Sequence, residues 1–517
     1  MASKIFSAAV IGLDAVPVEV EADIGQGLPN FVIVGLPDTS VQEARERVKT
    51  ALKNSGLPFP RTRLTVNLAP ADIKKEGPSY DLPIAAAICA AGGAVGNDEA
   101  MSRRMFIGEL ALDGTLRPAN GVLPMAIMAA ERGFREIYLP AGNAAEAAMI
   151  CRREDQTGAP PPLIIPVPDL PRLILHLRGA APLPPYAAPA ADPSASLPPP
   201  TDFDFSCIKG QLQAKRALEI AAAGGHNLLF SGPPGAGKTL LARSLPGILP
   251  PMTPAESLEV TKIYSVAGLT GHGRLVNERP FRAPHHTASG AALIGGGSWP
   301  RPGEVSLAHR GVLFLDEFPE FSRAVLENLR QPLEDGAVTV SRAQGSLRFP
   351  AKFILIAAQN PCPCGYASDP DAVCTCAPAQ VVRYRKKISG PLLDRIDLHV
   401  EVPKMKFNEL FGGPVPEASA AVRDRVLRAR GTQTGRFRGA GVFTNAEMSQ
   451  KILARFCPLD AATEALLRAA SERLKLSARA YSRVIKIART IADLEGAADI
   501  AAPHAAEALH FRERREA

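Results

Sequence analysis

The stretch Ser231-Gly232-Pro233-Pro234-Gly235-Ala236-Gly237-Lys238-Thr239 sets three glycines ahead of a lysine and a hydroxyl. Glycines at 232, 235 and 237 let successive backbone N–H groups turn toward an anion, and a helix beginning at Thr239 adds its positive N-terminal end. Farther along, Val312-Leu313-Phe314-Leu315 runs into Asp316-Glu317, two adjacent carboxylates at the tip of an apolar segment. In this pattern residues 232–239 cradle phosphates and Lys238 reaches the outer two. Thr239 and Asp316 hold magnesium, and Glu317 polarises a water as general base. The chemistry implied is phosphoryl transfer from ATP to water.

Two further groups adjoin this set. Phe353-Ile354-Leu355-Ile356-Ala357-Ala358-Gln359-Asn360 reads as a buried strand ending in an amide, and Asn360 is placed to orient the attacking water. A strand-ending Asn also serves simply as a turn former. Immediately after it come Cys362-Pro363-Cys364 and, nine residues on, Cys374-Thr375-Cys376. Four thiolates crowded together suit tetrahedral zinc, although the pairs are Cys-x-Cys and not the commoner Cys-x2-Cys. Redox chemistry and unligated thiols are the other readings. The loop leads into Arg383-Tyr384-Arg385-Lys386-Lys387, a basic tract with one interleaved aromatic that fits a nucleic-acid backbone.

These groups need elements to hold them. Asn227-Leu228-Leu229-Phe230 reads as the strand feeding the phosphate loop, so residues 203–402 form an α/β unit. Residues 1–175 alternate apolar strands with helical runs, as at Phe31-Val32-Ile33-Val34 and Ser40 to Ser55. From 179 to 200 the composition turns to Pro, Ala and Ser, which suits an extended linker, and residues 403–517 read as a helical lid. The chain has 517 residues, 46% hydrophobic and 21% charged, with a net charge of +7. That is a multidomain globular composition, and the charge alone argues only weakly for a polyanionic partner. The uncharged run from Leu82 to Val95 is shorter than the roughly 20 residues a membrane helix needs, and the N-terminus is a poor signal peptide. A cytoplasmic protein with no membrane partner is expected.

Taken with Gly390-Pro391-Leu392-Leu393-Asp394-Arg395-Ile396-Asp397, the phosphate loop, carboxylate pair and strand-ending Asn resemble an AAA+ ATPase of the magnesium-chelatase-like branch. Phe281-Arg282-Ala283-Pro284-His285-His286 and Pro302-Gly303-Glu304-Val305-Ser306-Leu307-Ala308-His309 are similar to the ComM/YifB family, and the resemblance runs from about residue 5 to residue 512. It implies an α/β core with a parallel sheet, a C-terminal helical lid and a homohexameric ring. It also implies an arginine finger at Arg395, acting on the neighbour's ATP, and a γ-phosphate-sensing arginine at Arg479, with Arg483 as competitor. A surface ion pair between Arg395 and its flanking aspartates is the plainer reading. Val338 to Phe349 reads as a hairpin tipped by Arg342-Ala343-Gln344-Gly345, and the resemblance implies that Arg342 and Gln344 meet DNA in the ring pore. Trp299, the single tryptophan, sits after Gly295-Gly296-Gly297-Ser298 and either stacks on a base or packs in the core.

The function so implied is ATP-driven translocation on single-stranded and branched DNA, including branch migration as incoming strands recombine. The alternative is a chelatase-type motor that remodels a partner inserting a metal into a tetrapyrrole. Near the N-terminus, Glu76-Gly77-Pro78-Ser79-Tyr80-Asp81 resembles the nucleophile region of Lon-type proteases, implying a Lon-like α+β domain. Such a serine needs a lysine base, yet no lysine occurs between residues 76 and 208, and Val122-Leu123-Pro124-Met125 is aliphatic where that base belongs. Peptidase activity is therefore not expected.

Overall fold

The computed structural model describes residues 2–96, 99–152, 160–187, 203–270, 275–297, 300–342, 345–369, 371–405 and 416–512. Trp299 and Gln344 lie outside the described residues, as do residues 188–200 of the Pro/Ala-rich stretch. The chain divides into two compact units, Met1–Asp192 with Ser257–Val276, and Pro193–Glu256 with Asn277–Ala517.

The first unit is built on a mixed sheet. Its strands are β1 (Ser3–Ile11), β2 (Asp14–Gly25), β3 (Asn30–Val34), β4 (Arg63–Ala69), β5 (Arg104–Phe106), β6 (Glu136–Pro140) and β7 (Leu163–Val167), in the order β3-β4-β2-β1-β5-β6-β7. β2 runs antiparallel to β1 and β4, and the remaining pairs are parallel. Alternate residues of a strand face opposite sides. Ile5 and Ala9 accordingly enter one core with helices α1 (Thr39–Asn54) and α2 (Asp81–Ala91), while Ala8 enters another with α3 (Val122–Glu131). The Leu82 to Val95 run is thus mostly a buried core helix, and among the described residues no helix is long and apolar enough to cross a membrane.

Residues 257–276, separated from this unit by the phosphate-loop region in sequence, complete its second core. Leu258 and Leu275 pack there. Ser265 Oγ donates to Glu146 Oε1 at 2.5 Å, and Lys262 pairs with Asp14 at 2.7 Å. Ser79 sits buried in a short turn, Pro78–Tyr80, ahead of α2. The buried Lys75 ammonium donates to Pro70 O, and Val122 to Met125 are all buried. The start of the Pro-rich stretch is anchored: Leu183 N donates to His176 Nδ1 at 2.8 Å and Tyr186 N to Ile164 O at 2.7 Å.

The second unit carries the parallel sheet. After helix α4 (Leu212–Gly224) come β8 (Leu228–Ser231), helix α5 (Lys238–Ile248), β9 (Phe281–Arg282), β10 (Val312–Leu315), a hairpin of β11 (Ala337–Arg342) and β12 (Gly345–Pro350), β13 (Ile354–Gln359), helix α6 (Pro378–Arg385) and β14 (Leu398–Glu401). The sheet order is β9-β10-β13-β8-β14, all parallel. Its strands are near-continuous apolar runs because both faces are covered. Helices α7 (Ser419–Arg436), α8 (Ala461–Leu474), α9 (Ala478–Glu495) and α10 (Ala502–His510) follow. Val426, Val484, Ile487 and Ile491 join Leu218 and Ala222 of α4 in one core with the sheet.

Candidate active site

Parallel strands bring their C-terminal ends to one edge, and there β8, β10 and β13 deliver the phosphate loop, the carboxylate pair and Asn360 side by side. A Cβ on Gly232 would stand 2.1 Å from Val402 O, so only glycine lets the loop leave the sheet here. Gly235 and Gly237 take φ of 77° and 88°, the left-handed values that turn N–H groups inward ahead of α5.

Lys238 is almost wholly buried, and burial lowers its pKa despite the favourable charge of Asp316. Its Nζ donates to Gly232 O at 2.5 Å, Pro233 O at 2.9 Å and Asn360 Oδ1 at 3.1 Å. The ammonium folded back on its own loop is therefore held by neutral acceptors that a phosphate oxygen would outbid. Thr239 Oγ1 donates to Asp316 Oδ2 at 2.8 Å. A hydroxyl and a carboxylate converging beside a phosphate cradle are hard oxygen donors of the kind magnesium takes, so these residues fit that ion.

Glu317 adopts φ 50°, ψ 45°, a left-handed backbone that costs a residue with a Cβ about 1–2 kcal/mol. Its Oε2 lies 3.1 Å from His286 Nδ1. The His286 ring lies 4.1 Å from the His285 ring, tilted by 34°, and meets the Phe321 ring edge-on at 6.4 Å. Sequence reasoning marked Phe281 to His286 as a family signature without giving it a role, because nothing local in it points to Glu317.

The four cysteines converge. Their Sγ atoms all lie within 4.8 Å of one another, with Cys362–Cys364 at 3.3 Å, Cys362–Cys374 at 3.7 Å and Cys364–Cys374 at 3.6 Å. Zinc–sulfur bonds of about 2.3 Å in a tetrahedron put sulfurs roughly 3.8 Å apart, so the quartet fits zinc. The loop touches the nucleotide site directly: a Cβ on Gly365 would stand 2.8 Å from Pro234 Cδ. The basic tract folds as helix α6 and its end, with Arg383, Arg385, Lys386 and Lys387 exposed and Tyr384 buried. Lys387 pairs with Glu320 at 2.9 Å, one turn beyond Glu317.

Arg395, Arg479 and Arg483 gather elsewhere. Arg395 is buried, donates to Pro391 O at 2.7 Å and pairs with Glu334, which also holds Arg479 at 3.5 Å. Arg483 donates to Asp397 Oδ1 at 2.5 Å, and the Asn227 backbone N–H donates to Asp397 Oδ2 at 3.0 Å. Arg483 and these hydrogen bonds hold the Asp397 carboxyl well below the usual range, against a large desolvation cost. Asn227 and Asp397 precede β8 and β14. The arginines thus sit at the N-terminal edge of the sheet, about 13 Å of strand away from the phosphate loop. They are not assembled on this chain's own nucleotide site.

A cleft of about 620 Å³ beside the loop went unnoticed in the sequence. Phe205, Gly210, Gln211, Leu212, Met405 and Val422 line it. Gln211 Nε2 donates to Pro403 O at 2.7 Å and to Ala236 O of the phosphate loop at 3.3 Å, tying cleft to loop.

Known proteins share this plan. The family "Magnesium chelatase, subunit ChlI" matches residues 204–410, "Subunit ChlI of Mg-chelatase" residues 20–143, and the subunit ChlI C-terminal family residues 416–512. The chain is 44% identical over 509 residues to Competence protein ComM of Haemophilus influenzae, covering 98% of this chain and 97% of that one. It is 40% identical over 515 residues to YifB of Escherichia coli, with 99% and 97% covered. Likeness to the magnesium-chelatase 38 kDa subunit of Cereibacter sphaeroides is 30% over 176 residues, or 31% of this chain and 53% of the other. Near full-length identity at this level places the chain in the ComM/YifB family of magnesium-chelatase-like AAA+ proteins.

Proposed function

We propose that the chain hydrolyses ATP with magnesium and uses that energy to move DNA, driving branch migration of junctions formed when incoming single strands recombine. The observation that carries the hydrolytic part is the convergence of Lys238, Thr239, Asp316 and Asn360 at one sheet edge. In this reading the N–H groups of residues 232–239 and Lys238 bind the phosphates, and the Gln211 cleft seats the base. Glu317 takes the proton of the attacking water, while Asn360 keeps that water in line. Bound magnesium would neutralise charge on the outer phosphates, held by Thr239 and Asp316.

Arg395 and Arg479 stand at the opposite edge, so they serve a nucleotide only when another copy brings its phosphate loop to them. A homohexameric ring meets that requirement. The DNA part is supported by the near full-length likeness to a protein named for competence, by the hairpin β11–β12 with Arg342 at the end of its first strand, and by exposed Arg383, Arg385, Lys386 and Lys387. The chelatase reading draws on the same family matches, but the pairwise likeness to a chelatase subunit is weaker, 30% over 31% of this chain against 44% over 98% for the competence protein. For the N-terminal unit we read a Lon-like frame without peptidase activity, since Lys75 is engaged with Pro70 O and buried aliphatic residues fill 122–125. The deciding experiment is electrophoresis of a three-strand junction incubated with protein and ATP, beside Glu317→Gln. Strand exchange by the wild type alone supports the proposal, and an unchanged junction in both sinks it.

A further inference from the structure

We infer that the cleft at the root of hairpin β11–β12 is a second contact for single-stranded DNA, taking its phosphates on cations and a base against Phe443. This rests on the DNA reading above and adds a site to it. The cleft has a volume of about 780 Å³, and Arg279, Arg310, Lys352, Arg430, Phe443 and Lys486 line it. Phe443 is 56% exposed, although phenylalanine is among the residues most often buried. The Arg310 guanidinium lies 5.4 Å and the Lys352 ammonium 5.6 Å from its ring centroid. An exposed ring with two cations beside it is the combination that holds a base and its flanking phosphates.

Two of the cleft's cations lack an ion-pair partner among the described residues. Arg430 gives Nε and Nη2 to a single acceptor, Ala222 O, at 3.2 and 2.8 Å. Burial, reinforced by the like charge of Arg279, holds its guanidinium down at about 10. Lys486 donates to Ala446 O at 2.9 Å, and burial lowers its pKa as well. The carboxylates lining the cleft face other cations: Glu256 meets Arg279 at 3.0 Å, Glu447 meets Lys352 at 3.9 Å, Asp397 pairs with Arg483, and Glu334 pairs with Arg395. Asp335, which also lines it, is exposed. A mostly buried cation served only by carbonyls gains when an anion enters.

The position favours a strand of DNA over other anions. One wall of the cleft is the hairpin's own base: Gly336 turns into β11 with φ 61°, and a Cβ there would stand 2.9 Å from Lys352 Cγ. Arg342 ends β11 about 20 Å of strand away, and Arg348 stands exposed on β12 between them. A flexible polyanion engaged by the hairpin therefore meets Arg348, Lys352 and Phe443 in turn on its way into the cleft. A compact anion would occupy only the inner end and leave the exposed ring without a role.

Fluorescence anisotropy of a labelled oligothymidylate with the full chain, titrated at several salt concentrations, tests this. Phe443→Ala should weaken binding about tenfold, whereas Phe443→Tyr, which keeps the stacking ring, should bind like the wild type. Lys352→Gln should weaken binding and make the slope of log affinity against log salt shallower by about 0.7, the loss of one phosphate contact. Wild-type affinity in both Phe443→Ala and Lys352→Gln, or a tenfold loss in Phe443→Tyr as well, overturns the cleft site, and the DNA reading survives as long as the wild type still binds. No binding by the wild type overturns that reading, and the cleft with it. Labelled polyglutamate held by the wild type and released by the same variants, with oligonucleotide binding unaltered, overturns the DNA site by giving the cleft to an acidic protein segment.

Discussion

Lys238 Nζ and Asn360 Oδ1 stand 3.1 Å apart, joining the phosphate loop to the end of the adjacent strand. The lysine must leave this amide and two loop carbonyls to reach a phosphate, and Asn360 is then freed to meet water.

Lys238→Ala should abolish binding of a fluorescent ATP analogue. Glu317→Gln should bind it normally and lose turnover by roughly 10²–10⁴-fold, the range for loss of general-base catalysis. Equal loss of binding in the two variants would contradict the assigned roles.

Arg395→Ala should leave nucleotide binding intact and reduce hydrolysis by about 10³-fold or more, as for other arginines that stabilise a transferring phosphoryl group. Mixing it with Lys238→Ala subunits should restore part of the activity, because each variant supplies what the other lacks. Glu334 loses its buried partner but is itself half-exposed, so the thermal midpoint should move little. No recovery on mixing would assign Arg395 to the local pair alone.

Metal analysis of the purified chain should find about one zinc per chain, as a closed four-cysteine site requires. Cys364→Ser with Cys374→Ser should lose it. Because Gly365 packs on Pro234, the same double variant should weaken nucleotide binding. A zinc-free wild type would leave the quartet as thiols.

Acid should destabilise the second unit through His399. Burial, with Arg512 nearby, holds that imidazole down at about 4, and its Nε2 has no partner among the described residues. The unfolded ring titrates near 6.5. Stability from the neutral ring is therefore fully present above about 6.5 and is lost as pH falls toward about 4, by at most about 3 kcal/mol. His399→Gln should flatten the dependence of Tm on pH across that window, and an unchanged slope would shift the acid sensitivity to other groups.

Arg342→Ala should spare basal hydrolysis while reducing its stimulation by single-stranded DNA. Hydrolysis indifferent to DNA in the wild type would remove the hairpin's proposed role.

Much of this site could be read from sequence because its parts are local. The phosphate loop, Asp316-Glu317, Asn360 and the cysteine pairs each carry their chemistry within a few residues of a strand end, and the hairpin strands pair Ala337 to Arg342 with Gly345 to Pro350. What escaped depends on distant partners. His286 reaches Glu317 from the end of the neighbouring strand, Gln211 reaches Ala236 and Pro403, and Arg395 and Arg479 share Glu334 from separate parts of the chain. Neither spacing nor composition encodes such pairings. Likewise, nothing in residues 257–276 shows that their hydroxyls and apolar side chains finish a core begun more than a hundred residues earlier.

That last arrangement limits how the chain can be dissected or inherited. A single break between residues 188 and 200 would not free a self-sufficient N-terminal half, for its second core would lose Leu258 and Leu275, and Glu146 would lose Ser265. Gene fusion could not transplant the first 192 residues as a cassette either. The two halves must travel together, and a mutation in the 257–276 excursion will be felt as a defect of the domain it completes, not of the one that encodes its flanks.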